Sequence, residues 1–303
     1  MNKRLEILAV VVLIATLASC SSAPKRPPEV FTGRKAALAQ IELANRAAMK
    51  GEFANAHVLL DEAWRLASAT DDPDTRVRVL LSRGNAFYNA GKSAEADGVW
   101  REALTEATAA RERALAGAAR VFLARGTLAE GRSGPPLDAG ERSSRAAAAA
   151  AVARGEMESL KDNALYEAFA WKVIGLAEKE LGDADAAEKA LREAVAIHEK
   201  GRYLEDAAYD WYLIASVRSK SGNLPGARLA LDTAISFDRR AENSNGLGMD
   251  WVAVGTVEEK AGNREKAVAA YRRAVGIFRA SYIGEGAKDA ERRLAALGEG
   301  ITP

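Results

Sequence analysis

From Ala164 to about Ile283 the apolar positions of the chain fall into one pattern written three times. Gly182, Gly222 and Gly262 set a period of 40 residues, and a tryptophan stands eleven positions before each of them: Trp171, Trp211 and Trp251. Five positions after each glycine comes an alanine (Ala187, Ala227, Ala267), then a large apolar residue (Leu191, Leu231, Tyr271), then a second alanine (Ala194, Ala234, Ala274). Apolar residues three and four apart lie on one helix face, so each unit reads as two helices joined at a Gly-Asp or Gly-Asn pair. The glycine supplies a left-handed stop and the residue after it an N-cap for the second helix. A fixed period of this length predicts a solenoid, in which each unit buries its apolar face against its neighbours.

The grid extends towards the N-terminus. Gly51 and Gly91 are again 40 apart, and each precedes the second-helix pattern: Ala56, Leu60 and Ala63, then Ala96, Trp100 and Ala103, with Gln40 and Leu80 at the tryptophan site. Gly131 lies on the same grid, but Gly182 follows it by 51 residues, which places eleven extra residues in the Gly131–Gly140 stretch, between the two helices of the third unit. The alanines from Ala146 to Ala151 belong to a helix reaching about Leu160 and carry propensity with little packing information. Gly or Ala at 44, 84, 124, 175, 215 and 255 predicts tight helix crossings. Asp71–Asp74 around Pro73 reads as helix capping, because it lacks the spaced oxygens and distal Glu of a calcium loop. Ala287, Ala290, Leu294 and Leu297 share one face of a last helix that caps the array, Gly298 ends it, and the tail 299–303 is loose. The expected solenoid occupies 34–298, with units near 34–70, 74–110, 111–161, 164–201, 204–241 and 245–283 and a cap at 285–298.

These motifs resemble the tetratricopeptide repeat, Trp-x2-Leu-Gly-x2-Tyr followed by Ala-x3-Phe and a further Ala. Trp171, Ile174 and Gly175, like Trp251, Val254 and Gly255, match its first half; Ala187, Leu191 and Ala194 match its second. The tyrosine is replaced by Glu178, Arg218 and Glu258, and the closing proline by Glu199, Arg239 and Arg279, which lets the second helix run on and lengthens the period. HEAT and armadillo repeats share the period but not this spacing. The resemblance implies an all-α fold: a right-handed α-solenoid of about six helix hairpins plus a C-terminal capping helix.

Before the first unit, Lys3 and Arg4 precede an apolar run from Leu5 to Leu17 that is too short to span a bilayer. It closes in Leu17-Ala18-Ser19-Cys20, which resembles a bacterial lipoprotein signal. The resemblance implies that residues 1–19 are removed and that Cys20, the only cysteine, carries lipid. Ser21 after it implies an outer-membrane anchor facing the periplasm of the cell envelope. An ordinary signal peptide with an incidental cysteine, and an uncleaved anchor, are the alternatives. Residues 20–33 are rich in proline and polar residues and form a tether.

Charge narrows the function. Lys and Arg number 43 against 42 Asp and Glu, so no basic stripe is available for nucleic acid. His57 and His198 have no ligand-spaced neighbours and read as surface or half-buried helix residues, not metal ligands. There is no phosphate loop and no Gly-x-Ser-x-Gly turn, and acidic pairs such as Glu258-Glu259 read as a solvated face. No cofactor, metal or catalytic constellation is implied, so the chain reads as a binding protein.

The resemblance places the binding surface on the concave face, lined by the first helix of each unit. Carried over position by position, it points to Leu38, Ile41 and Asn45; to Arg78, Leu81, Asn85, Tyr88 and Asn89; to Phe169, Lys172 and Leu176; to Tyr209 and Tyr212; and to Met249 and Val252. Asn45, Arg78, Asn85, Asn89, Lys172, Tyr209 and Tyr212 are the partner-binding candidates, although periodicity alone also allows aromatics such as Tyr209 and Phe169 to be inter-unit core. Ile41 and Leu81 stand where receptors for acidic chain ends carry lysine, so that subclass is not expected. Two functions fit: a lipid-tethered scaffold for envelope proteins, or a ligand-binding accessory lipoprotein of a periplasmic solute transporter.

Overall fold

The computed structural model describes residues 31–128 and 136–299. The described residues from 33 onward form one compact unit. The signal segment, Cys20, the tether up to residue 30, the first part of the 131–140 insertion and the last four residues lie outside the described residues.

Thirteen α-helices and no strand occur among the described residues: α1 (Thr32–Met49), α2 (Phe53–Ala69), α3 (Pro73–Asn89), α4 (Ser93–Ala109), α5 (Arg113–Thr127), α6 (Ala139–Leu160), α7 (Ala164–Leu181), α8 (Ala184–Gly201), α9 (Leu204–Lys220), α10 (Leu224–Ala241), α11 (Ser244–Lys260), α12 (Arg264–Ala280) and α13 (Gly284–Ala296). They form six hairpins and a cap. From α3 onward each helix packs on its successor, and each odd-numbered helix also touches the next odd-numbered one, whereas even-numbered helices make no comparable contact with one another. The first helices therefore form the inner layer and the second helices the outer one. The array starts at Thr32, two residues earlier than expected, because Arg34 in the first turn of α1 pairs with buried Asp72 at the start of α3 and holds that turn in place.

The turns follow the grid. Gly51, Gly91, Gly182, Gly222 and Gly262 all have φ between +74° and +87°, the left-handed region that glycine enters without strain. Second helices end on the same backbone shape without glycine, at Asp71, Arg111, Arg202, Glu242 and Tyr282. Asp72 caps α3 through the Thr75 amide, Asp183 caps α8 through the Ala186 amide, and Asn223 caps α10 through the Gly226 amide. Asn263 departs from expectation. Its side chain donates to Glu258 Oε2 at 2.8 Å and makes no capping bond.

Packing rests on small-to-large pairs within each hairpin. A Cβ on Gly84 would lie 2.2 Å from the Trp100 ring, and one on Gly255 2.3 Å from Tyr271, so only glycine admits those fully buried side chains. The motif alanines of the second helices are buried, Ala187, Ala227 and Ala267 among them. In α6 the poly-alanine stretch acquires a register: Ala146, Ala149, Ala150 and Ala153 face the core.

Three further expectations are corrected. The acidic pair Glu258-Glu259 is a solvated face only in part: Glu258 is buried, whereas Glu259 is exposed and accepts a hydrogen bond from the Tyr271 hydroxyl of the facing helix. The tail is held at its first residue, because Glu299 pairs with Arg264 and Arg272. His198 is fully buried, its Nδ1 2.6 Å from Asp210 Oδ2.

Candidate functional site

The inner layer encloses a cavity of about 1100 Å³ that runs from α1 to α13. Of the candidate residues, Asn45, Asn85, Asn89, Lys172, Tyr209 and Tyr212 line it, as do Leu38, Ile41, Tyr88, Phe169, Leu176 and Met249. Arg78 does not. It pairs with Asp74 one turn earlier and lies over the ring of Tyr166, so it braces α3 against α7. Leu81 and Val252 are likewise absent from the lining.

The N-terminal part of the cavity is built of amides and cations. The amides of Asn45, Asn85 and Asn89 form no hydrogen bond among the described residues. Arg46 answers Glu42 one turn earlier at 2.7 Å, and Arg125 donates to the Tyr88 hydroxyl at 2.7 Å. Each amide presents both donors and an acceptor, the complement of an extended peptide backbone.

Farther along, ionisable groups sink into the wall. Lys172 on α7 lies 3.8 Å from Asp210 Oδ1 and 3.6 Å from Asp206 Oδ1, with its ammonium 5.7 Å from the centre of the Tyr209 ring. Burial pulls the lysine pKa down, but the two carboxylates more than offset it and leave it raised. Tyr209 stacks on Tyr212 at 5.9 Å. Lys172 is thus a buried counter-ion as well as a lining residue.

One unit onward the arrangement changes. Asp238 on α10 and Asp250 on α11 are both buried and both line the cavity, near Glu205 at the start of α9. Burial pushes Asp250 up to about 9, and the neighbouring Asp238 adds to it. Asp238 rises to about 7, chiefly through burial, with Asn243 donating to it at 2.9 Å and Glu205 repelling its charge. Asp250 Oδ2 has no hydrogen-bond partner.

These acids escaped sequence reasoning, yet the grid carried a signal. The column containing Asp210 and Asp250 holds Val79, Ala119, Ala170 and Ala290, all buried, in the second to fourth units and the cap, and exposed Ala39 in the first. A carboxylate in a core column is out of place for packing alone.

Residues 170–200, covering most of α7 and α8, match the family model described as Tetratricopeptide repeat. No curated protein sequence matches the chain. Among solved structures it is similar to a Rap protein complexed with Competence and Sporulation Factor, at 16% identity over 88% of this chain and 76% of that one, with a TM-score of 0.56. It is also similar to BtubC (BKLC) from P. vanneervenii, at 18% identity over 88% of this chain and 95% of that one, with a TM-score of 0.52. At such identities the likeness is one of fold. Together with the helix-pair packing it defines an α-solenoid fold of the tetratricopeptide type. No helix among the described residues is long and apolar enough to cross a membrane, and no cluster of His, Cys, Asp or Glu among them is arranged to hold a metal ion.

Proposed function

We propose that this protein is an interaction scaffold of the bacterial cell envelope, tethered to the outer membrane through lipid on Cys20 and facing the periplasm, whose inner groove holds an extended segment of a partner protein. The observation that carries the reading is the continuity of the cavity past six hairpins, with uncommitted amides at Asn45, Asn85 and Asn89. Its volume of about 1100 Å³ lies at the upper end of the roughly 300–1,000 Å³ typical of small-molecule sites. A main-chain segment can take hydrogen bonds from the amides and seat apolar side chains against Tyr209, Tyr212 and Phe169.

Two measurements test it. Changing Asn85 and Asn89 together to alanine removes groove polarity without opening the core; the double variant should melt as wild type does and recover at least several-fold less partner protein from detergent-solubilised envelopes. Equal recovery would place the binding surface elsewhere. Wild type that retrieves no protein but copurifies with a small apolar molecule would support the solute-transporter accessory reading instead. For the tether, labelled fatty acid should enter wild type in a Gram-negative host and not Cys20→Ser; an unlabelled, soluble wild type would remove the anchor from the proposal.

A further inference from the structure

The geometry points to a subsite for a ligand ammonium group in the C-terminal part of the cavity, formed by Asp250, Asp238 and Glu205. The inference rests on the groove being the binding surface and names the chemistry that one stretch of it recognises.

The chain contains its own template for such a site. In the fifth unit the core-column carboxylate Asp210 is fully buried and has two partners: the ammonium of Lys172, reaching in from the preceding first helix, and the ring of His198. Moving forward by the 40-residue period, Asp210 becomes Asp250, His198 becomes Asp238, and Lys172 becomes Tyr212. The sixth unit therefore repeats the buried carboxylate but replaces both of its cationic or donor partners. In their place stand a second acid and a neutral phenol. Glu205 adds a third carboxylate near Asp238 and has no ion-pair partner among the described residues. Asp250 is 2% exposed, lines the cavity, and leaves Oδ2 without a hydrogen-bond partner.

Beside a second buried acid Asp250 is held neutral, and a cation brought against it would take the place of its proton; the neighbour in the same column shows which group faces a buried carboxylate there. That group is a primary ammonium, presented by Lys172 against carboxylate oxygens with an aromatic ring close by. The sixth unit offers the acids and, in Tyr212, an aromatic face on the cavity wall, both of which favour an organic cation. A metal ion is a poor fit, because the three acids are not gathered into a coordinating cluster. The ammonium can be a lysine side chain of the bound segment or a free amine. Its chemistry is the same in both, and a peptide and a diamine used as separate probes tell them apart.

The test is an NMR titration of the full solenoid with labelled aspartate carboxyl groups. The probes are cadaverine, a blocked Ala-Ala-Lys-Ala-Ala peptide, its norleucine counterpart, and glutarate as a probe of opposite charge. The Asp250 carboxyl signal should shift saturably with at least one amine and stay put with norleucine peptide and glutarate. Asp250→Asn should weaken amine binding at least tenfold, followed through backbone amide shifts. Tyr212→Lys, which supplies the missing internal ammonium, should do the same while raising the melting temperature, an effect that damage to the fold would not produce. Peptide binding in excess of cadaverine assigns the ammonium to a partner side chain, and the reverse to a free amine. The inference is overturned if neither amine moves the Asp250 signal, or if both variants bind amine as wild type does. The outcome is separable from the scaffold reading: amine binding with no partner lost on Asn85 and Asn89 substitution sinks only the latter, and partner loss with no amine binding sinks only the former.

Discussion

The two ends of the groove share a frame and differ in charge. Towards α1 the lining carries Asn45, Asn85 and Asn89 with Arg46, Lys50 and Arg125 against a single acid, Glu42; towards α13 it carries Glu205, Asp206, Asp238, Asp250 and Glu285 against Lys172. The first set sits largely on the rim and costs the fold little. Within the second, Asp238 and Asp250 are buried, Asp250 in a column that otherwise holds alanine or valine, so this pair works against stability. The difference teaches that the C-terminal end gives up packing energy for polarity, whereas the N-terminal end has both without conflict.

The comparison breaks most visibly at the buried cation. Lys172→Ala should strand Asp210 beside His198 alone and destabilise the protein by about 3 kcal/mol, the low end for opening a buried pair. Arg46→Ala, which opens the exposed pair with Glu42, should change stability by no more than about 0.5 kcal/mol. Equal melting temperatures for the two variants would erase the distinction between the ends.

The frame itself should not distinguish them. Ala56→Leu near one end and Ala227→Leu near the other both overfill fully buried sites, and each should cost about 2 kcal/mol. At about 2–4 °C per kcal/mol, both losses are readable in a melting curve. A large loss at one end only would mean that the two ends are packed by different rules.

A smaller effect sharpens the contrast through pH. The folded-state pKa values of Asp238 and Asp250 are raised to about 7 and about 9, above the unfolded carboxyl range near 4. Groups of this kind contribute most stability below the unfolded pKa and lose it as pH rises through the folded values. The charges facing the pair are Glu205 and the two acids themselves, so nothing there reverses the sign. Melting temperature should therefore fall between pH 5.5 and pH 8.5, and Asp250→Asn should recover about 1 kcal/mol or more at the higher pH and less at the lower. Parallel pH curves for wild type and variant would count against a strained acid pair.

Much of the fold could be read from the sequence because its determinants are local and repeated. Glycine at the turns, alanine against leucine or tyrosine, and capping Asp183 and Asn223 each declare themselves within a few residues, and the period confirms them. The groove lining followed for six of the seven candidates for the same reason. Arg78 failed because its surroundings are set by Asp74 and by Tyr166 on a helix four elements away. His198, Lys172 and the Asp238–Asp250 pair were misread or missed because burial of a polar group depends on what the next unit places opposite it. Twelve residues separate His198 from Asp210, and only the stacking of α8 on α9 makes them neighbours.

The fit of Trp100 over Gly84 and Tyr271 over Gly255 has a consequence for how such a chain can change. Each of these two glycines and its ring lie on the same hairpin, so a copied or transplanted block of 40 residues brings both halves of that contact with it. A single helix moved between hairpins would not. Tyr271 brought against Ala215, which holds the position of Gly255 in the fifth hairpin, would meet a methyl group where it needs open space. The heritable module is the hairpin, and the groove can be lengthened, shortened or recharged one module at a time while the joints between modules stay the same.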